Sequence, residues 1–66
     1  MDEIGIWRAA HKTIEIYPND PEMAAAQRAD NAYEQGDMFN FDLWTRIAKA
    51  VTELEKLRPS RGLTAN

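Results

Sequence analysis

The chain has 66 residues, no cysteine, and a net charge of −3 from eight basic and eleven acidic side chains. A domain of this size buries only about 60% of the surface of its unfolded chain, and without cysteine it has neither disulfides nor thiolate metal sites, so oligomerisation is the remaining source of added stability. The mild acidity argues against a nucleic-acid partner, and the charges that interrupt every apolar run predict a cytoplasmic protein without a signal peptide or membrane span.

The first predicted element is an amphipathic helix over residues 2–17. At about 100° per residue, its apolar side chains fall on one half of the helix and its charged side chains on the other. The helix ends at Tyr17 because Pro18 pushes the preceding residue out of the helical region. Residues 13–17 also alternate like a strand, but the chain offers no second strand to pair with them, so we prefer the helix. The apolar half contains Ile6, Trp7, Ala9, Ala10, Ile14, Ile16 and Tyr17.

The second predicted helix covers residues 20–35 and has two candidate caps. Asp20 can cap it with Pro21 at the first helical position, or Asn19 can cap it with Glu22 closing a capping box. Gly36 supplies the left-handed residue that ends the helix. The apolar face is mostly alanine, which adds little buried area but lets helix backbones approach closely: Ala25, Ala26, Ala29, Ala32 and Tyr33.

The third predicted helix covers residues 40–57, is capped by Asp37 or Asn40, and cannot run far past Leu57 because Pro59 follows. Its apolar arc spans roughly 180°, against roughly 100° for a simple surface helix. Either both other helices pack on this arc, or part of it meets another molecule. The arc contains Leu43, Trp44, Ile47, Ala48, Ala50, Val51, Leu54 and Leu57. Residues 58–66 are predicted to be a disordered tail.

These elements predict an all-α protein, a compact three-helix bundle that forms one domain over residues 1–57 with a flexible C-terminal tail. The predicted core consists of Trp7, Ile14, Tyr17, Tyr33, Phe41, Trp44, Ile47, Val51 and Leu54.

The stretch YEQGDMFNFDLW, which joins the second and third helices, has two interpretations. In the first, Phe39, Phe41 and Trp44 enter the core and supply the buried area that the alanine face lacks. In the second, exposed apolar side chains form a surface for a partner protein, and the candidate partner-binding residues are Met23, Met38 and Phe39. We favour the first interpretation and keep the second as the candidate binding site.

The sequence predicts no catalytic, cofactor-binding or metal site and suggests no small-molecule substrate. His11 has Glu15 four residues later, but nothing nearby offers a nucleophile, and a surface helix pair is the simpler interpretation. A single histidine without a local carboxylate cluster also lacks a metal ligand set. The Ala32 and Gly36 spacing matches a helix-turn-helix, yet Asp42 and Thr45 stand where that motif needs apolar residues.

We therefore expect a non-enzymatic protein-interaction module, with a homodimer as one form of the interaction. The alternative is weak nucleic-acid binding through the basic C-terminal end, which is formed by Arg46, Lys49, Lys56, Arg58 and Arg61. The identity of the partner does not follow from the sequence.

Two resemblances arise from particular residues. Trp7, the alanines of residues 25–29, Gly36-Asp37, Trp44 and Ile47-Ala48 resemble the pattern of a family of short, uncharacterised alphaproteobacterial helical proteins. That resemblance implies an all-helical fold and no known activity. More weakly, residues 20–55, with AYEQGD at their centre, are similar to a single helical hairpin of a tetratricopeptide repeat.

The core prediction can be tested at Trp44. We expect Trp44→Ala to lower the free energy of unfolding by about 3 to 5 kcal/mol, enough to unfold a domain this small. Thermal unfolding followed by circular dichroism measures the loss, and a variant that melts near the wild-type temperature would place Trp44 outside the core.

Overall fold

The computed structural model describes residues 2–57, which form three α-helices and no strand. The helices are α1 (Glu3–Ile16), α2 (Pro21–Glu34) and α3 (Met38–Leu57). This confirms the predicted all-α, three-helix fold. The tail predicted for residues 58–66 lies outside the described residues.

The ends of α1 follow from local chemistry. Asp2 is its N-cap, and the Asp2 carboxylate accepts a hydrogen bond of 2.8 Å from the backbone N–H of Gly5. The helix ends at Ile16, and the N–H of Tyr17 donates to the carbonyl of Thr13 at 2.8 Å. Residues 13–16 are therefore helical, as we preferred over a strand.

Of the two candidate N-caps of α2, Asp20 is the one found in the structure. The Asp20 carboxylate accepts from the N–H of Met23 at 3.3 Å, and Pro21 occupies the first helical position, where a missing N–H costs nothing. The first turn of α2 also contacts α3 through a side-chain hydrogen bond, in which the hydroxyl of Thr52 donates to the carboxylate of Glu22.

Gly36 ends α2 as predicted. It adopts a positive φ of 75°, which an L side chain rarely tolerates. Its N–H donates to the carbonyl of Tyr33 at 3.0 Å, and the N–H of Asp37 reaches back to the carbonyl of Ala32 at 2.8 Å. These two bonds are the Schellman arrangement. The connection to α3 is therefore very short, and α3 returns antiparallel beside α2.

The long third helix is the centre of the fold. Both α1 and α2 pack mainly against α3 and contact each other much less. Both other helices therefore pack on its wide apolar arc, one on each flank, as the first explanation of that arc requires. Leu57, at the end of the helix, keeps 78% of its surface exposed.

The core is small and consists largely of alanine. Its buried residues are Ala10, Ala25, Ile47, Ala50 and Val51, and half-buried side chains pack around them, including Ile6, Trp7, Ile14, Leu43, Trp44 and Leu54. Ile47 and Val51 are the largest side chains that are fully buried. Thr13 is buried too, with its hydroxyl donating to the carbonyl of Ala9 at 2.8 Å. Of the predicted core, Ile47 and Val51 are buried, whereas Trp7, Ile14, Phe41, Trp44 and Leu54 are half-buried.

The core prediction is wrong at two residues. Tyr17 is 38% exposed and Tyr33 is 61% exposed. Tyr17 follows the last helical residue of α1, so its ring leaves the apolar face of that helix. Tyr33 lies at about 80° from Ala25 around the axis of α2, at the edge of the buried alanine stripe. Its ring packs on Phe41 with a centroid distance of 5.3 Å and otherwise faces outward.

Arg28, on α2, contacts both Tyr17, which follows the end of α1, and Trp44 on α3, and the sequence did not predict these contacts. Its guanidinium carbon lies 5.6 Å from the ring centroid of Tyr17 and 5.4 Å from that of Trp44, and its Nη2 donates to the Tyr17 hydroxyl at 2.7 Å. A cation near two aromatic rings is attracted by both.

Because Trp44 is only half-buried, the expected loss in the free energy of unfolding for Trp44→Ala falls at the lower end of its range, about 3 kcal/mol.

The alanine core predicts a sharp difference between neighbouring positions on α2. Ala25 is fully buried, whereas Ala26 is exposed. Ala25→Leu should lower the free energy of unfolding by about 1 to 3 kcal/mol, because the added side chain forces the helices apart. Ala26→Leu is the matched control and should change it by less than about 0.5 kcal/mol. Urea unfolding measures the free energy of unfolding of both variants. An Ala25→Leu variant as stable as Ala26→Leu would show that the fold does not depend on the close approach of α2 and α3.

Candidate functional site

The start of α3 decides which aromatic side chains are exposed. Asp37 is the cap: one carboxylate oxygen accepts from the backbone N–H of Asn40 at 3.2 Å, and the other accepts from the Asn40 side-chain amide at 2.7 Å. These bonds hold the pKa of Asp37 below its ordinary value, the side-chain amide being the larger cause. The helix therefore begins at Met38, two residues before the predicted start at Asn40.

The earlier start places Met38 and Phe39 in the first turn of α3, where 52% and 71% of their surfaces are exposed. The prediction that Phe39 enters the core is wrong. Around the helix axis Phe39 lies at about 80° from Ile47, at the edge of the apolar arc and away from its centre. Phe41 and Trp44 are half-buried, on the side of α3 that faces α2.

A groove runs between α1 and α3 beside Phe39. Its main part has a volume of about 500 Å³ and is lined by Glu3, Ile6, Trp7, Arg46, Lys49, Ala50 and Glu53. A smaller depression of about 160 Å³ is lined by Ile6, Phe39, Asp42, Leu43 and Arg46. The two share Ile6 and Arg46, so they are parts of one surface, which we call the α1–α3 groove. Its floor is apolar, and charged side chains form its rim.

The rim of the α1–α3 groove carries both signs of charge. Arg46 pairs with Asp42 through Nε and Oδ2 at 3.1 Å, and the two side chains are 62% and 64% exposed. At the end of the groove, Glu53 pairs with Lys56 at 3.7 Å. The basic end proposed for nucleic acid therefore alternates with acidic groups over its described part, and Arg58 and Arg61 lie outside the described residues. Nucleic-acid binding stays a prediction.

The third candidate binding residue, Met23, lies on a different side of α3. It is 52% exposed and lines a depression of about 560 Å³ between α2 and α3. The other lining residues are Asp20, Glu22, Ala26, Thr45, Ala48, Lys49 and Thr52. On α3 this depression lies about 130° around the axis from the Phe39 end of the α1–α3 groove. Met23, Met38 and Phe39 are thus all exposed, but the structure does not bring Met23 into the same depression as Phe39.

The residues considered for other chemistry lie on the surface. His11 is exposed, and its neighbour Glu15 pairs with Lys12 at 3.4 Å. Within residues 2–57, no three His, Cys, Asp or Glu side chains lie close enough together to hold a metal ion. None of the three described helices is both long and apolar enough to cross a membrane.

Comparison with protein-family models, curated proteins and solved structures finds no match to this chain. The resemblances to short alphaproteobacterial helical proteins and to a tetratricopeptide hairpin stay predictions.

The Asp37 cap predicts a pH dependence of stability. Because the pKa of Asp37 is lowered in the folded chain, its charge stabilises the fold at every pH above the unfolded value of about 3.8. That contribution is lost as the pH falls through the lowered pKa. We expect Asp37→Asn to melt below the wild type at pH 7, and the difference to shrink as the pH falls below about 4.

Circular dichroism melts from pH 2 to pH 7 measure this difference. Asp30→Asn, at an exposed carboxylate on α2, is the matched control and should follow the wild type throughout. A difference between Asp37→Asn and the wild type that stays constant into strong acid would show that the charge of Asp37 is not its source.

Proposed function

We propose that this protein is a non-enzymatic protein-interaction module and that the α1–α3 groove, with Phe39 at its edge, is the binding surface. The observation that carries the proposal is the exposure of Phe39, 71%, directly beside a groove with an apolar floor. Met38, in the same helical turn, adds a second exposed apolar side chain.

An exposed aromatic side chain beside a recess is the arrangement from which binding hot spots are built. Aromatic anchors that fill a pocket on the partner contribute most of the affinity in many interfaces, because they bury a large area with few rotatable bonds. Trp7 lines the same groove, half-buried, and offers a second aromatic contact at its floor. The surface thus combines a projecting aromatic ring with a place that receives one.

The charges of the groove support a protein partner over a nucleic acid. A phosphate backbone is bound by a continuous positive surface. Here Glu3, Asp42 and Glu53 stand among the basic side chains of the rim. A rim of mixed sign around an apolar floor is typical of protein interfaces, where it selects the partner and its orientation.

The composition of the core gives a further reason for binding. Ile47 and Val51 are the only large side chains of the described residues that are fully buried, and the remaining buried hydrophobic residues are alanines. A chain with so little buried area gains stability from any partner that binds the folded form, because binding shifts the folding equilibrium by mass action.

A site-specific photo-crosslinker tests the proposal in the cell. A benzophenone amino acid placed at Phe39 should form a covalent adduct with a bound protein on irradiation. The same amino acid at Lys12, an exposed position on the outer side of α1, is the control and should give no adduct. Adducts are detected by a mass shift on a denaturing gel and identified by mass spectrometry. If the crosslinker gives no adduct at Phe39, and also none when it is placed at Met38, the proposal is wrong.

A further inference from the structure

We infer that the occupant of the α1–α3 groove is a second copy of this chain, bound through two α3 helices that pair antiparallel about a two-fold axis. This inference rests on the proposed function and names the partner of the same surface. The axis passes over α3 between Asp42 and Arg46.

The register follows from the spacing of residues on α3. Phe39, Asp42, Arg46, Lys49 and Glu53 recur at intervals of three and four residues, so they form one stripe along the helix. All five are exposed. With the axis between Asp42 and Arg46, Asp42 of each copy faces the partner's Arg46, and Phe39 faces the partner's Lys49. A two-fold axis makes each of these contacts twice.

The charges on the stripe match this arrangement. Asp42 and Arg46 pair within one chain at 3.1 Å, and both are more than 60% exposed, so each can also reach a charge on another molecule. In the antiparallel pair the four side chains alternate in sign. A parallel pair in the same register would set Asp42 against Asp42 and Arg46 against Arg46, which costs free energy. The charge pattern therefore selects the antiparallel orientation.

The apolar features match as well. Facing the partner's Lys49, the Phe39 ring lies at the main part of the partner's groove, where Lys49 and Ala50 stand opposite Trp7. A groove of about 500 Å³ has room for this ring. The ring and the recess that receives it are on the same surface of one chain, as a two-fold interface between identical copies requires. The ring also lies near the ammonium group of Lys49, which adds a cation–π attraction.

The length of the contact indicates a weak dimer. From Phe39 to Lys49, α3 extends about 15 Å. A stable standard interface buries about 800 Å² on each partner, which two helical segments of this length do not reach without added contacts from α1. We therefore expect an association that depends on concentration, with monomer and dimer both present in dilute solution.

The test is the molar mass of the full chain across a wide concentration range, by sedimentation equilibrium. The wild type should shift from monomer to dimer. Phe39→Ala should raise the dissociation constant about 10- to 100-fold. Asp42→Arg and Arg46→Asp should each raise it as well, because each places like charges opposite one another across the axis. The double variant Asp42→Arg/Arg46→Asp restores opposite charges and should bring the dissociation constant back to near the wild-type value.

Controls separate this inference from loss of folding and from the broader proposal. Lys12→Ala, at an exposed position on the outer side of α1, should leave the dissociation constant unchanged, and thermal melts should show that every variant is folded. A wild type that stays monomeric at millimolar concentration overturns the inference, as do a dimer insensitive to Phe39→Ala and a double variant without restored association. In each case an adduct of a different protein at position 39 would leave the interaction module standing.

Discussion

Ile47 and Val51, on the inner side of α3, pack against alanines contributed by α1 and α2, and the position of every other element depends on this contact. Alanine is small enough for two helices to approach α3 from opposite flanks, which is why a single helix with an apolar arc of roughly 180° is covered within one short chain. The same close approach leaves little volume for large side chains in the core. Aromatic residues are therefore displaced to its edges, where they are half-buried or exposed.

The aromatic residues at the edges of the core differ in the side chains that they contact. Trp44 and Tyr17 both lie near the guanidinium of Arg28, which joins the end of α1 to the middle of α2 and α3. Tyr33 and Phe41 pack on each other across the corner between α2 and α3. Phe39, by contrast, stays largely exposed and lies beside a recess. This difference is why Phe39 carries the proposed interface, whereas the other rings contribute to the fold.

The corner between α2 and α3 links the fold to that interface. Gly36 ends α2 in a left-handed conformation, and the very next residue, Asp37, caps α3. Because the residue that ends α2 and the residue that caps α3 are adjacent, α3 starts at Met38. The turn that contains Phe39 therefore has a fixed helical geometry. A side chain on a helix loses less conformational freedom on binding than one on a loop, which favours a defined contact. The sequence of this corner thus determines how rigidly the binding surface is presented.

The sequence by itself determined that three helices form, because their signals are local: a cap at Asn19 or Asp20 followed by Pro21 at the start of α2, the left-handed glycine at its end, and the period of apolar residues. It also identified Ile47 and Val51, at the middle of the widest apolar arc, as core. Tertiary structure alone decided the rest. Whether Phe39, Tyr17 and Tyr33 are buried depends on where a neighbouring helix ends, and the contacts of Arg28 join residues far apart in the chain. The α1–α3 groove likewise exists only once two helices pack, since neither helix contains it alone.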